Sequence, residues 1–320
     1  MILLTGGAGF IGSCFLKTLN NKGIFDVLVV DHLGSGSKWK NLIGKKFSAY
    51  TGKNEFIADI KKGKYKGKIE AIFHFGACST TTELNADYLM DNNFNYSVEL
   101  AKFAIEEKIK FVYASSAATY GNGENGYSDY AFDNLIPLNG YGFSKHIFDL
   151  WVLQNKFESK FVGIKFFNVF GPNEYHKNEM SSMVFKSFNQ IMNTGKVRLF
   201  KSNSPEFQDG GQVRDFVYVK DTCETIWQMY INNIYGIYNL GTGCARSWND
   251  LANAVFAALG KEPEIEYIDM PESLVSQYQN YTKADMSKLI STGISYKPGI
   301  LEDSVNDYVN NYLVKNNLIY

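Results

Sequence analysis

The chain has 320 residues, 45% of them apolar, with 32 basic against 33 acidic residues and a formal net charge of −1. That near-neutral balance argues against nucleic acid, an anionic membrane or a polyanion as partner, and the apolar share is ample for a sizeable core. Cys14, Cys78, Cys223 and Cys244 show neither C-x-x-C spacing nor an accompanying histidine cluster, which argues against a metal site and a disulfide framework and predicts reduced thiols.

The first apolar run, Ile2-Leu3-Leu4, leads straight into Gly6-Gly7-Ala8-Gly9-Phe10-Ile11-Gly12. The strand begins at Met1 with no room for a cleavable leader, and no apolar run has the length of a bilayer, so the expected location is cytoplasmic. The glycines fit G-x-G-x-x-G read from Gly7 and G-x-x-G-x-x-G read from Gly6. Either spacing lets the backbone pass close to a pyrophosphate, whose charge then sits at the positive N-terminal end of the next helix. A glycine-rich turn without a ligand has the same local pattern. Asp31 ends the run Val27–Val30, 19 residues after Gly12. A carboxylate there accepts hydrogen bonds from ribose hydroxyls, although an Asp after a buried strand is also ordinary loop chemistry.

Apolar runs near 70–74, 111–115 and 161–167 continue the alternation of strands and amphipathic helices. The rhythm predicts an α/β fold, a doubly wound parallel sheet of Rossmann type with ligands across the carboxyl ends of its strands. The basic block Lys61–Lys68 reads as a solvated loop. Ser115 and Ser116 open Ser-Ser-Ala-Ala-Thr-Tyr-Gly and place a hydroxyl at a strand end. Tyr141 and Lys145 stand at i, i+4 on one helix face, where an ammonium favours the phenolate and makes the tyrosine a usable base. Alone, Tyr-x-x-x-Lys is more often an exposed helix pair; behind a glycine loop and a serine-bearing strand end, the balance reverses. The fifth strand stops at Asn168 and a turn, then presents Lys177, which the residues by themselves read as a solvated loop charge.

After Pro172 come a polar segment, a helix-like stretch at 181–194 and a loop at Ser202–Gln212, predicting a second, smaller α/β lobe. Asp215–Val219 and Ile237–Gly241 read as strands returning to the first lobe. The dispersed aromatics read as core.

Together, the T-G-G-A-G-F-I-G start, Ser-Ser-Ala-Ala-Thr-Tyr-Gly, Tyr-x-x-x-Lys, Phe167–Pro172, Arg214–Val219 and Tyr238–Gly243 resemble the extended short-chain dehydrogenase/reductases that act on nucleotide sugars. The resemblance runs over nearly the whole chain. It is narrowest to the branch that inverts C6 of ADP-glycero-manno-heptose, D-glycero to L-glycero, for the lipopolysaccharide core. Phe75–Ser79 followed by Thr-Thr-Glu, Met90–Asn93, the loop reaching Glu174–Lys177, and Tyr278-Gln279 with Thr282–Asp285 carry that likeness.

The resemblance implies transient oxidation to a 6-keto sugar, with Tyr141 and Lys177 as acid/base groups on its two sides. Ser116 would hydrogen-bond near the reacting oxygen, and Lys145 would grip the nicotinamide ribose and tune Tyr141. It implies NADP, with contacts at Gly6, Gly9, Phe10, Ile11, Gly12, Asp31, His32, Lys38, Lys53, Phe75, Gly76, Ala77, Cys78, Ser79, Asn92, Lys145, Val169 and Lys177. Asp31 repels a 2′-phosphate unless Lys38 or Lys53 neutralises it, and His32 stands where the family commonly has Asn, so NAD stays as the alternative. Substrate positions are Asn168, Glu179, Lys186, Phe200, Lys201, Ser202, Asn203, Arg214 and Tyr278. Glu179 and Lys186 depart from the Ser and His expected there, and Ser204–Gln212 is lengthened. Residues 1–168 plus about 215–243 would bind the dinucleotide; 169–214 plus about 244–320 would bind the nucleotide sugar. A homo-oligomer of pentameric order is implied.

Two other enzyme readings share much of this constellation. A UDP-sugar 4-epimerase needs only one base, so Lys177 separates it. A 4,6-dehydratase wants an acid just after Ser116, where Ala117 and Ala118 stand. A non-catalytic dinucleotide-sensing protein commonly loses the tyrosine or the lysine, and both are present.

Overall fold

Short β-branched and aromatic runs, bounded by glycines and charges, become strands in the computed structural model, which describes residues 1–275 and 278–320. In chain order they are β1 (Ile2–Thr5), β2 (Val27–Asp31), β3 (Ala49–Gly52), β4 (Ala71–His74), β5 (Lys110–Ser116), β6 (Phe161–Phe166), β7 (Asn168–Phe170), β8 (Val197–Phe200), β9 (Val213–Tyr218), β10 (Gly236–Leu240), β11 (Ala245–Ser247) and β12 (Ile265–Ile268). Seven form one parallel sheet in the order β3-β2-β1-β4-β5-β6-β10.

Consecutive strand residues point to opposite faces, so the sheet feeds two cores. Ile2, Leu4, Val27, Val29 and Phe73 join the helix Phe10–Asn21 on one face, through Phe10, Cys14, Phe15 and Leu19. Leu3, Leu28, Val30 and Ile72 meet Leu100, Ala101, Phe148 and Val152 on the other. Emptying one such site, as in Leu3→Ala, costs about 2–5 kcal/mol. Among the described residues no helix is long and apolar enough to cross a membrane.

The chain runs outward from β1 to β2 and β3, then crosses back to β4, so the order reverses between β1 and β4. A crevice opens at that reversal, beyond the carboxyl ends of the strands. There the two loops nearly touch: a Cβ on Gly6 would lie 2.5 Å from the Gly76 amide nitrogen.

The smaller sheets correct the sequence reading. Of the two runs expected to return to the first lobe, only the later does so, as β10 beside β6. β9 instead pairs with β7 in parallel and with β11 in antiparallel, opposing Asn168 to Phe216. β8 and β12 form a separate parallel pair. The edge strand β3, with Ala49 and Tyr50 exposed, lacks the apolar run that marks its neighbours and has no sequence signature. Residues 202–212 form the expected loop.

Candidate active site

The glycine loop is shaped by steric necessity. Gly6 has φ +69, and a Cβ on Gly12 would lie 2.1 Å from the Gly6 carbonyl oxygen. The helix that follows starts at Gly9 with no side chain capping it, which leaves its first amides to a ligand. These backbone groups form a cradle that side chains would fill, and it suits a pyrophosphate. Asp31 holds the loop from behind: its Oδ2 accepts from Ala8 N at 2.8 Å, and its Oδ1 accepts from His32 N and Lys38 Nζ, each at 2.6 Å. Two oxygens carrying about four lone-pair sites still leave capacity for a ribose hydroxyl. Beside it a recess of about 140 Å³ is lined by Asp31, His32, Lys38, Lys53 and Asn92. Lys53 Nζ donates to Asn92 Oδ1 at 2.5 Å.

The main cavity, about 650 Å³, continues from this cradle and is lined by Gly6, Gly9, Phe10, Ile11, Gly12, Asp31, Lys38, Phe75 through Thr81, Ser116, Tyr141, Lys145, Asn168, Val169 and Lys177. Most of the expected dinucleotide contacts thus meet in one space.

Tyr141 and Lys145 come from the helix Gly140–Gln154. Its start is fixed by Asn139, whose Oδ1 accepts from Gly142 N at 2.8 Å. The helix presses on the turn after β5 so closely that a Cβ on Gly142 would lie 2.6 Å from the Ala118 carbonyl oxygen. Contact with that turn brings the Tyr141 phenol near the Ser116 hydroxyl, which favours the phenolate. Ser116 Oγ also accepts from Ala118 N at 3.1 Å. Lys145 Nζ donates to the Ala114 carbonyl at 2.9 Å, and burial pulls the amine down to about 8.

One expectation fails here. The sequence predicts a phenol depressed by the neighbouring ammonium; in the fold, burial raises the Tyr141 phenol, and the nearby Ser116 hydroxyl is what opposes that rise. Desolvation of a fully enclosed phenol outweighs a helix-face pairing.

Lys177 reaches the same cavity from the loop after β7. The loop is pinned by Glu174, a buried carboxylate accepting from Ser182 N at 2.5 Å, Ser182 Oγ at 2.7 Å and Gly171 N at 3.3 Å. Asn173, at φ +75, fixes it further by donating from Nδ2 to Ser13 Oγ at 3.0 Å. Lys177 is not the solvated charge its residue type suggests. Its Nζ lies 5.5 Å from the Phe10 ring centroid, and burial lowers its pKa against the opposing charge of Glu174.

The expected substrate positions divide. Asn168 lines the cavity. Arg214, 6% exposed, lies between aromatic rings: its guanidinium carbon is 5.4 Å from the Trp248 ring and 5.2 Å from the Tyr278 ring. Trp248 Nε1 donates to Tyr278 Oη at 2.8 Å, and the Phe200 ring stands 6.2 Å from that of Tyr278. Among the described residues the guanidinium has no carboxylate partner within 4.0 Å; Nη1 donates to the Val213 carbonyl at 2.9 Å. Elsewhere, Lys201 pairs with Asp269 at 2.9 Å, Ser202 N donates to Asp209 Oδ1 at 2.8 Å, and Asn203 is exposed. Glu179 points outward with its side chain 98% exposed, and Lys186 Nζ donates to the Glu179 carbonyl at 2.6 Å. These last five, like Phe200, Arg214 and Tyr278, stand outside the cavity lining, which the Arg214 cluster meets through Trp248.

Trp248, Met180, Met183 and Leu251 also line the cavity and were not singled out from the sequence. Trp248 had a usable signal. Ser247 and Asp250 form a capping box that starts the helix Trp248–Ala258 and places the indole on its first turn.

A parallel sheet with a phosphate cradle at its strand-order reversal, and a tyrosine and a lysine one helical turn apart beside it, define a nicotinamide-dinucleotide enzyme of the short-chain dehydrogenase/reductase type. Residues 2–241 match the model of the NAD dependent epimerase/dehydratase family, and the chain belongs to that family. The chain is 48% identical over 316 residues to the ADP-L-glycero-D-manno-heptose-6-epimerase of Nitratidesulfovibrio vulgaris, covering 98% of each chain. It is 47% identical, again with 98% of each covered, to the protein of that name from Fusobacterium nucleatum. The crystal structure of Helicobacter pylori ADP-L-glycero-D-manno-heptose-6-epimerase superposes with a TM-score of 0.82 at 32% identity, covering 97% of this chain and 95% of that one.

Proposed function

We propose that the protein inverts C6 of ADP-glycero-manno-heptose, D-glycero to L-glycero, using NADP. The observation that carries this reading is that Tyr141 and Lys177, on a helix and a loop from different parts of the chain, line one cavity with the dinucleotide cradle. Bound dinucleotide supplies reversible hydride acceptance and return; the chain must supply the rest. Inverting C6 without turning the keto sugar over requires proton chemistry from two sides, and one base cannot face both. Tyr141 Oη, beside the Ser116 hydroxyl, holds or moves a proton at the C6 oxygen on one side. Lys177 Nζ does so on the other, where a lowered pKa makes its neutral form accessible. Ser116 would orient the reacting oxygen, and Lys145, anchored on the Ala114 carbonyl, would hold the nicotinamide ribose. Arg214 offers a fork of donors for the diphosphate.

NADP is favoured over NAD because Lys38 and Lys53 both line the recess beside Asp31, and Lys38 neutralises that carboxylate. The division into a dinucleotide-binding lobe and a sugar-binding lobe, a homopentameric assembly and a cytoplasmic location belong to the same reading. Its test is mass spectrometry of the copurifying dinucleotide, followed by an NMR assay of C6 configuration with ADP-heptose, UDP-galactose and GDP-sugars. Inversion of ADP-heptose is expected. Turnover of UDP-galactose alone would replace this reading with a 4-epimerase.

A further inference from the structure

One helical turn beyond Lys145, on the same face, stands Asp149, so Tyr141, Lys145 and Asp149 follow at i, i+4 and i+8. Its carboxylate is fully buried and holds three groups. Oδ2 accepts from Ser115 Oγ at 2.6 Å and from Lys165 Nζ at 2.7 Å, and Oδ1 accepts from Tyr113 Oη at 3.0 Å. Lys165, whose side chain is 0% exposed, lies opposite Ser115 in the register of β5 and β6. Its Nζ donates also to Thr119 Oγ1 at 2.7 Å, and Thr119 Oγ1 donates to the Ser116 carbonyl at 2.8 Å. The bonds therefore close a ring around Ser116: the residue before it and its own carbonyl are tied to one ion pair, and that pair is fixed to the helix carrying Tyr141. An apolar pair of similar volume would be as stable in such a place, or more so, because both charges are withdrawn from water.

We propose that Asp149 and Lys165 are positioning residues for the reaction, setting the height of Ser116 against the azimuth of Tyr141. The proposal rests on the epimerase reading above for its kinetic arm. The experiment uses the full-length holoenzyme, comparing wild type with Asp149→Asn and with the double variant Asp149→Leu/Lys165→Met. Asp149→Asn is expected to lower kcat by on the order of 10- to 100-fold with KM within about twofold, the size of effect that a small misplacement of catalytic groups produces. The double variant, free of an unpaired charge, is expected to regain the thermal midpoint but not kcat. Recovery of kcat together with the midpoint would overturn the proposal, as would a loss confined to KM.

A second readout needs no substrate. The Tyr141 phenol is titrated by ultraviolet difference spectra against Tyr141→Phe in each background, with Cys78, which also faces the phenol, and Lys145 left in place. Displacing Ser116 removes the interaction that lowers Tyr141, so its midpoint should rise in Asp149→Asn; an unmoved midpoint overturns the proposal. Failure of the wild type to invert any sugar nucleotide, with the titration shift present, would count against the epimerase reading and leave the positioning role supported.

Discussion

Lys38 Nζ stands 2.6 Å from Asp31 Oδ1 at the end of β2, so the carboxylate that should discourage a 2′-phosphate is already neutralised. Removing the ammonium exposes that charge to the phosphate far more than to a free hydroxyl. Lys38→Ala should therefore weaken NADP by on the order of tenfold, the size of one charge-assisted hydrogen bond, and NAD by much less. Calorimetric titration with both dinucleotides checks it; equal losses would confine Lys38 to its partner Asp31.

Tyr141 and Lys177 should each be indispensable to inversion, and Tyr141 dispensable to dinucleotide retention. Tyr141→Phe and Lys177→Met are each expected to reduce kcat by about 10²- to 10⁴-fold, the usual worth of a positioned acid/base group. The NMR assay of C6 configuration measures this. Epimerisation at the wild-type rate by Lys177→Met would exclude the two-sided scheme.

Arg214 lies between the rings of Trp248 and Tyr278, so its shape matters as well as its charge. Arg214→Lys keeps the charge and loses both the stacking and the fork of donors. Steady-state kinetics should show KM for the nucleotide sugar raised by about tenfold, with kcat changed far less, because a diphosphate contact acts alike on bound substrate and transition state.

His74 makes the crevice sensitive to acid. Ser97 Oγ gives its proton to the Asn93 carbonyl at 2.5 Å, so His74 Nε2 must donate to Ser97 at 2.8 Å, and Nδ1 accepts from Thr5 Oγ1 at 2.6 Å. The ring is thus held neutral, and burial, aided by Lys145, pushes its pKa from 6.5 down to about 3. Between those values the unfolded chain binds a proton that the fold refuses. The stabilisation is complete above pH 6.5 and declines as pH falls toward 3, by about 2 kcal/mol at pH 5. Thermal midpoints between pH 7.5 and 5 should fall more steeply for wild type than for His74→Gln; parallel curves would remove His74 as the cause.

What could be read from the sequence follows the physics of each element. β1, β2, β4, β5 and β6 announce themselves because strands buried on both faces must be almost wholly apolar, and Gly6 through Gly12 because only glycine fits there. Residues such as Ala49–Gly52 and Asn168–Phe170 become strands through the edge they are offered, which no local pattern records. Lys177 reads as a surface charge because its half-burial against Phe10 depends on a tertiary contact. The Tyr141 phenol was misjudged for the same reason: an i, i+4 pair is visible in a string of letters, whereas enclosure is not. Asp149 had a trace in the sequence, the continued spacing from Tyr141 and a lysine interrupting an otherwise apolar Phe161–Phe167.

Residues 236–240 complete the large sheet on the open flank of β6, from Val162 to Phe166. During translation that flank emerges some seventy residues before its cover, and every residue of β6 is buried in the finished protein. A ribosome paused in between would hold a nascent chain with a bare, greasy strand edge, the kind that chaperones bind and that seeds aggregates. A truncation ending near 168 should therefore emerge insoluble even though it keeps the whole glycine loop, and adding a β10 segment in trans is the direct way to rescue it.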